Sequence, residues 1–241
     1  RIKMSIDFNK AWEIFVSNFP QFLYGIEITV LYAIVGTAIG LLIGLLVGTI
    51  RAIEINEQDP VIIKSLKKIL KLITGFYLWV FRGTPMLVQA MFLYYLLKPI
   101  LGWTGITAGL VIISINTGAY MAEIIRSGIQ SVDIGQTEAA KSIGMSTVQT
   151  FRKIVLPQAI KNSFPSIGNQ LIINIKDSSM LNVISVTEVY FQSTSIAGST
   201  YQYTETFFIT MIIYLILTTI ASLIMNYFER RMCRVHVKEE Y

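Results

Sequence analysis

Three long runs of apolar residues constrain this chain more than any other feature. The stretches Ile28–Ile50, Pro99–Ala122 and Thr206–Phe228 contain no charged side chain, and each is near or above the roughly 20 residues that an α-helix needs to cross a bilayer. The composition agrees, because 53% of the residues are hydrophobic and only 15% are charged, at a mean hydropathy of +0.58. The sequence therefore predicts an all-α integral membrane protein and excludes an ordinary soluble domain.

Two further apolar regions are interrupted by polar and charged residues. They read Leu72–Phe81, Arg82-Gly83-Thr84-Pro85 and Met86–Leu97, then Asn162–Ile175, Lys176-Asp177 and Ser178–Thr187. Charged groups at membrane depth normally face a protein interior or a water-filled cavity, and transporters place solute sites at interrupted helices. The alternative is that Arg82 or Lys176 ends a span and reaches towards the interface. The presence of two such breaks favours a translocation pathway.

Two repeating patterns near the N-terminus predict which face of a helix is used, the first at the membrane interface and the second against another helix. Aromatic residues from Phe8 to Phe19 fall at i, i+4, i+7 and i+11, which is typical of one face of an interfacial helix, although an extension of the first span is the alternative. Within the first span, glycines recur every four residues from Gly36 to Gly48. We expect this smooth face to contact another helix closely.

These patterns predict five transmembrane helices, two of them interrupted. The expected segments are an outer interfacial segment over 1–22, membrane spans over 23–50, 69–98, 100–125, 150–188 and 205–229, and a tail over 230–241. Fourteen of the 20 basic residues fall in 51–71, 123–161 and the tail. By the positive-inside rule, these segments are cytoplasmic and the N-terminus is outside. We see no signal peptide at the start of the sequence.

The stretch Glu138–Pro157 separates two predicted spans. Glu138-Ala139-Ala140 is a run of good helix formers with little side-chain bulk, and Gly144 is where such a helix ends. The sequence from Ser146 has the spacing of a capping box, and Pro157 predicts a kink or an interruption about three turns later. We expect two helices that meet at a fixed corner; the alternative is an ordinary polar loop.

The order of residues in this stretch resembles the EAA loop of the membrane subunits of ABC importers. In that family the loop forms a coupling helix, which docks in a groove of a separate ATPase subunit. The resemblance implies a cytoplasmic coupling helix over 133–146. The residues that it assigns to ATPase coupling are Glu138, Ala139, Ala140, Gly144, Leu156 and Pro157.

Longer motifs resemble the permeases of polar amino acid ABC importers. They are Phe81–Gln89, Ser114–Arg126, Gly135-Gln136, Leu156–Ala159 and Lys176–Ser179, within a resemblance that covers roughly 15 to 232. It implies one importer transmembrane domain over 1–241 in a bacterial plasma membrane. It also implies a second permease subunit, identical or different, two ATPase subunits that hold ATP and Mg²⁺, and an extracellular or periplasmic solute-binding protein. Asp133-Ile134 departs from the Pro-Lys that relatives often have, but the small-residue face is kept.

Six polar residues are candidates for the substrate site: Gln89, Asn116, Tyr120, Gln170, Asp177 and Ser178. A zwitterion needs an acceptor for its ammonium and donors for its carboxylate, and Asp177 with Ser178 at a broken-helix N-terminus supplies both. Asn116 and Tyr120 share a helix face. Because the amide of Gln170 both donates and accepts, we hypothesise a neutral polar amino acid such as glutamine, then cystine or histidine. The alternative for each residue is interhelical hydrogen bonding.

Other functional classes remain as alternatives. An ion-coupled secondary transporter of amino acids would use Asp177, Arg82 or Glu123, and a channel or receptor-like scaffold would have no turnover. The chain has no G-x-x-x-x-G-K motif, so it does not cradle a nucleotide itself and is not expected to be an enzyme or to bind a cofactor. Cys233 has no second cysteine, and His236 has no metal-ligand partner in the sequence, so we expect no metal site.

Overall fold

The computed structural model describes residues 6–237, with the side chains of residues 6–231. The outer ends of the predicted segments 1–22 and 230–241, and the side chains of Cys233 and His236, lie outside this part. Every regular element described is helical, which confirms the all-α fold. The helices are α1 (Phe8–Ser17), α2 (Phe19–Ala52), α3 (Val61–Gly83), α4 (Met86–Leu101), α5 (Gly105–Gln130), α6 (Ile134–Ser142), α7 (Thr147–Thr150), a π turn (Phe151–Val155), α8 (Leu156–Asp177), a 3₁₀ helix (Ser178–Ile184), α9 (Val189–Thr200) and α10 (Tyr203–Val237).

Within residues 6–237, three helices, α2, α5 and α10, are long and apolar enough to cross a membrane. The broken pair α3 and α4 passes the same criterion when it is counted as one span. This gives three or four candidate spans against the five predicted. The fifth predicted region, α8 with its 3₁₀ extension, does not meet the criterion because it carries Asn169, Asn174 and Lys176 among its apolar residues.

The first predicted break lies where the sequence placed it. Helix α3 ends at Gly83, Thr84 is extended (φ −127°, ψ 149°), and α4 begins at Met86. Pro85 has no backbone N–H and restricts the residue before it to extended backbone, so the helix cannot run through this point.

The second break differs from the prediction. Helix α8 changes to 3₁₀ geometry after Asp177, which keeps helical dihedral angles (φ −70°, ψ −21°), and the 3₁₀ helix ends at Ser185 in the left-handed region (φ 66°). A broken-helix N-terminus at Asp177 was therefore the wrong expectation. The backbone tightens from i→i−4 to i→i−3 bonding there and leaves no free helix start.

The chain forms two compact units. The first unit comprises Arg1–Gly36, Met86–Ile113 and Leu171–Leu223, and the second comprises Thr37–Pro85, Ser114–Gln170 and Ile224–Tyr241. The first is built around Tyr32, whose hydroxyl donates to the Ile106 carbonyl at 2.7 Å. In the second, Tyr77 donates to the Ile115 carbonyl at 2.5 Å, which joins α3 to α5.

The glycine repeat of α2 is a packing face, as predicted. A Cβ atom at Gly40 would lie 2.6 Å from Thr117 Cγ2, and one at Gly48 would lie 2.6 Å from the Ala122 carbonyl oxygen. Side chains at these positions would collide with α5, so α2 and α5 approach at backbone distance in the second unit.

The N-terminal aromatic stripe belongs to a separate helix. Helix α1 begins at Asp7, whose carboxylate accepts hydrogen bonds from the N–H groups of Asn9 and Lys10, and it stops at Asn18. Asn18 leaves the helical region (φ −113°, ψ 16°), so α1 does not simply extend the first span. Its interfacial position stays a prediction.

Candidate functional site

The predicted coupling segment contains a short helix with a defined start. Helix α6 is preceded by Asp133, whose carboxylate accepts a hydrogen bond from the Gly135 N–H at 2.6 Å. A carboxylate at a helix N-terminus stabilises the exposed N–H groups and complements the positive end of the helix dipole. Asp133, the departure from the usual Pro-Lys, therefore has a local structural role.

The end of α6 is fixed by Gly144. This residue has φ +84°, its N–H donates to the Lys141 carbonyl at 3.0 Å, and the Met145 N–H donates to the Ala140 carbonyl at 3.1 Å. These two bonds form a Schellman motif, which ends helices at a left-handed residue. Gly144 stops the helix, as predicted, because glycine adopts this conformation without a steric penalty.

The helix that follows α6 begins with the capping box that the sequence predicts. Ser146 Oγ accepts a hydrogen bond from the Gln149 N–H at 3.3 Å, and Gln149 Oε1 accepts one from the Ser146 N–H at 2.9 Å. This is a complete capping box. Together with the Gly144 turn, it sets the direction in which the chain leaves α6.

The α-helical pattern is interrupted just before Pro157, as the sequence predicts, although the helical path does not end there. The preceding turn, Phe151–Val155, is a π turn in which the Leu156 N–H donates to the Phe151 carbonyl. Widening the helix by one residue accommodates the missing N–H and the ring of Pro157 at the start of α8. The helix therefore runs from Thr147 to Asp177 through a change of register.

The surface of the coupling segment is apolar as well as small. Of the residues assigned to coupling, Ala140 is buried, Leu156 is half-buried, and Glu138, Ala139, Gly144 and Pro157 are exposed. Three branched apolar side chains beside them are strongly exposed: Ile134 at 72%, Ile143 at 78% and Val148 at 73%. Exposed apolar groups around a short, rigid helix are typical of a protein interaction surface.

Three candidate substrate residues belong to the first unit. Gln89 on α4 is buried, Asp177 at the end of α8 is half-buried, and Ser178 is fully buried. The Ser178 hydroxyl donates to the Ile175 carbonyl at 2.9 Å, so it is engaged within its own helix.

The other three candidates belong to the second unit. Asn116 and Gln170 are buried, and the Asn116 side chain donates to the Phe81 carbonyl at 3.4 Å, just before the break in the α3–α4 pair. Tyr120 is 37% exposed, and the guanidinium carbon of Arg82 lies 5.8 Å from the centre of its ring. The shared face of Asn116 and Tyr120 on α5 thus meets the end of α3.

A group of charged residues in the second unit adjoins that face. The Glu123 cluster is formed by Arg51, Arg82, Glu123 and Arg126. Glu123 Oε2 accepts hydrogen bonds from Arg126 Nε at 2.9 Å and Nη2 at 2.7 Å. Glu123 Oε1 lies 3.8 Å from Arg51 Nε and 3.7 Å from Arg82 Nη1. Three guanidinium cations against one carboxylate leave two positive charges in surplus.

Sequence reasoning named Arg82 and Glu123 for an ion-coupled alternative but missed Arg51 and Arg126 as members of one site. In the sequence, Arg51 and Arg126 contribute to the basic residues that orient the membrane spans, and Arg126 also ends the Ser114–Arg126 motif. The i, i+3 spacing of Glu123 and Arg126 indicates their pairing on one helix. The approach of Arg51 and Arg82 depends on tertiary packing, which local spacing does not reveal.

Comparisons with known proteins agree with this architecture. A family model for the inner membrane component of binding-protein-dependent transport systems matches residues 60–234. The chain is 34% identical over 227 residues to the probable amino-acid permease protein YxeN of Bacillus subtilis (strain 168), covering 92% of this chain and 96% of that protein. It is 40% identical over 159 residues to the glutamine transport system permease protein GlnP of Escherichia coli (strain K12), covering 65% and 73%.

A solved structure has the same fold. The crystal structure of an amino acid ABC transporter with histidines is 36% identical to this chain and matches it at a TM-score of 0.80. The match covers 95% of this chain and 100% of that chain.

Proposed function

The chain belongs to the family of inner membrane components of binding-protein-dependent transport systems, and we propose that it is the permease subunit of an ATP-driven amino acid importer. In this role it forms the translocation path, and hydrolysis takes place in a separate ATPase subunit. Family membership carries the proposal, because members of this family are transport permeases and not catalytic enzymes.

The coupling segment supports an ATPase partner. Helix α6 is fixed by a carboxylate cap at Asp133 and by the Gly144 turn, although a helix of this length is marginal in isolation. A rigid short helix transmits force better than a flexible loop, and the exposed Ile134, Ile143 and Val148 offer an apolar contact surface. ATP and Mg²⁺ would be bound by the partner and not by this chain.

We propose a polar, neutral substrate such as glutamine. Both relatives described above carry amino acid transport in their names, and one is a glutamine permease. The amides of Gln89, Asn116 and Gln170 and the hydroxyl of Tyr120 donate and accept hydrogen bonds, which suits an uncharged polar side chain. In this assignment the half-buried carboxylate of Asp177 accepts from the substrate ammonium.

The assembly has further proposed parts. A second permease subunit and an extracellular or periplasmic solute-binding protein complete the importer. The distribution of basic residues supports an N-terminus outside and a C-terminus in the cytoplasm, and in this orientation α6 faces the compartment that contains ATP.

Uptake by the complex reconstituted in proteoliposomes tests the substrate proposal. With the ATPase and binding-protein partners identified by co-purification, we expect ATP-dependent uptake of glutamine in preference to arginine and lysine. Strong preference for a cationic amino acid would contradict the neutral-substrate assignment. Uptake that follows a proton or sodium gradient without ATP would favour the ion-coupled alternative instead.

A further inference from the structure

The Glu123 cluster carries more positive charge than its own carboxylate balances. The four side chains are partly exposed, from 22% for Glu123 to 44% for Arg82. Arg51 and Arg126 lie in segments that the distribution of basic residues predicts to be cytoplasmic, so the cluster is at the end of its helices that water reaches, where an anion can compensate the surplus charge. The cluster therefore has the chemistry of an anion site.

The two oxygens of Glu123 are engaged unequally. Oε2 accepts both Arg126 bonds, at 2.9 and 2.7 Å. Oε1 lies 3.7 Å from Arg82 and 3.8 Å from Arg51, which is ion-pair distance but beyond a hydrogen bond. The hydrogen bonds to Glu123 come from Arg126 and a further ion pair from Arg51, so Glu123 stays paired when Arg82 moves away.

Arg82 is also the most exposed cation of the cluster and the best placed for a ligand. It lies at the end of α3, directly before the break at Thr84 and Pro85. Its guanidinium group sits near the Tyr120 ring, and Asn116 lies one turn away on the same face of α5. A planar guanidinium beside an aromatic ring suits two-pronged binding of a carboxylate.

We propose that Arg82 binds the carboxylate of the transported amino acid by exchanging its contact with Glu123 for the substrate. The inference rests on the proposed function as an amino acid importer. It assigns the carboxylate of the zwitterionic substrate to Arg82. The exchange replaces one carboxylate by another, so the charge around Arg82 is nearly unchanged. Glu123 then competes with the substrate for Arg82, which favours release, because a transport site must bind weakly enough to empty.

The test is equilibrium binding of an amino acid to the intact permease and ATPase complex in lipid nanodiscs. Radiolabelled glutamine is the probe, and unlabelled glutamine and its amino alcohol, glutaminol, are the competitors. Glutaminol lacks only the carboxylate. We expect wild type to prefer glutamine, and the Arg82→Gln complex to bind glutamine about ten- to a hundredfold more weakly, with the preference over glutaminol lost.

Three further variants separate carboxylate binding from a general structural effect. Arg82→Lys keeps the positive charge but loses the planar pair of N–H donors that binds both oxygens of a carboxylate. Its affinity for glutamine should therefore lie between those of wild type and Arg82→Gln. Glu123→Gln removes the competing carboxylate and should tighten binding a few-fold. Lys68→Gln, an exposed cation on the same helix, should bind as wild type does.

The outcomes distinguish the inference from the function on which it rests. If wild type prefers glutamine over glutaminol and Arg82→Gln keeps that preference, the Arg82 assignment is wrong while the importer proposal stands. If no amino acid binds the wild-type complex and none is transported, both fail. Displacement of glutamine when phosphatidylglycerol replaces phosphatidylcholine would identify an anionic lipid headgroup as the occupant and overturn the assignment. Weaker binding in Glu123→Gln would contradict the exchange.

Discussion

Two glutamates, one in each compact unit, are held in opposite ways. Glu188, in the first unit, is fully buried, and its carboxylate accepts hydrogen bonds from the N–H groups of Tyr190 and Phe191 and from the Tyr214 hydroxyl. The side chain of Glu123, in the second unit, is 22% exposed. Its Oε2 is hydrogen-bonded, while its Oε1 faces two guanidinium groups beyond hydrogen-bond distance.

The difference separates a structural carboxylate from one that can take part in a ligand site. Glu188 caps α9 and ties it to α10 through Tyr214, and three hydrogen bonds at a fully buried position give it a single arrangement. Glu123 shares its charge among three cations, so its contacts can be exchanged. A buried polar group whose bonds are complete stabilises the fold, whereas a surplus of charge at a partly exposed position indicates function.

Replacing Glu188 should have the largest effect on stability. Glu188→Ala leaves two backbone N–H groups and the Tyr214 hydroxyl without a partner in a buried position, and we expect a loss of about 2 to 5 kcal/mol in the free energy of unfolding. Thermal unfolding of the purified protein in detergent measures this loss. Glu188→Gln, which keeps one acceptor, should lie between the variant and wild type. Equal stability of Glu188→Ala and Glu123→Ala would contradict the comparison.

Close packing next to the Glu123 cluster should produce the next effect. A Cβ at Gly128 would collide with Ser163 Oγ and lie 2.7 Å from the Ala159 carbonyl oxygen, so Gly128→Ala should cost about 1 to 3 kcal/mol. The matched control is Gly198→Ala on α9, where no atom lies within 4 Å of the added carbon. The control should be neutral or slightly stabilising in the same unfolding assay. A larger loss of stability for Gly198→Ala than for Gly128→Ala would show that α5 and α8 do not pack closely at Gly128.

Within the Glu123 cluster, substitutions of Arg126 and Arg51 should differ in their stability loss by less than substitutions of Glu188 and Glu123 do. Arg126→Gln removes two short bonds to a partly exposed carboxylate and should cost about 1 kcal/mol or less, while Arg51→Gln removes only a 3.8 Å ion pair and should cost close to nothing. Chemical denaturation in mixed micelles can compare the two variants. A larger loss for Arg51→Gln would mean that Glu123 is held by Arg51 instead.

The smallest effect belongs to a loop carboxylate whose side chain is 18% exposed. Asp59, between α2 and α3, accepts a hydrogen bond from Lys67 Nζ at 2.6 Å, and this bond holds the pKa of Asp59 below its ordinary value. Because the pKa is lower in the folded protein, the ionised carboxylate stabilises the fold at pH values above the ordinary pKa of aspartate. This stabilisation is lost as the pH falls below about 4. Asp59→Asn should therefore unfold slightly more easily than wild type at pH 7, and this difference should narrow as the pH falls below about 4. A difference that persists at low pH would contradict this origin.

Local features were predictable because short-range chemistry determines them. Pro85 excludes a continuous helix, Gly144 allows the left-handed turn, and Ser146 with its capping box starts the next helix. The glycine repeat of α2 also predicted its packing face, since only glycine permits backbone contact.

Long-range pairing was not predictable in the same way. The approach of Arg51 and Arg82 to Glu123 and the bond from Tyr214 to Glu188 join residues far apart in sequence. Pro157 predicted an interruption of the helix, but not that a π turn over Phe151–Val155 would provide it. The candidate substrate residues stay predictions: their helices are placed, but their contacts with a substrate follow from chemistry alone.

The central claim is that ATP hydrolysis in a partner drives uptake through α6. Its most direct test is ATP-dependent uptake of glutamine in proteoliposomes with Glu138→Lys, an exposed change on α6. We expect uptake to fall at least about tenfold, because a reversed charge within the proposed ATPase contact would disrupt docking. The control Glu57→Lys, an exposed glutamate before α3, should transport as wild type does. Wild-type uptake by Glu138→Lys would contradict the claim.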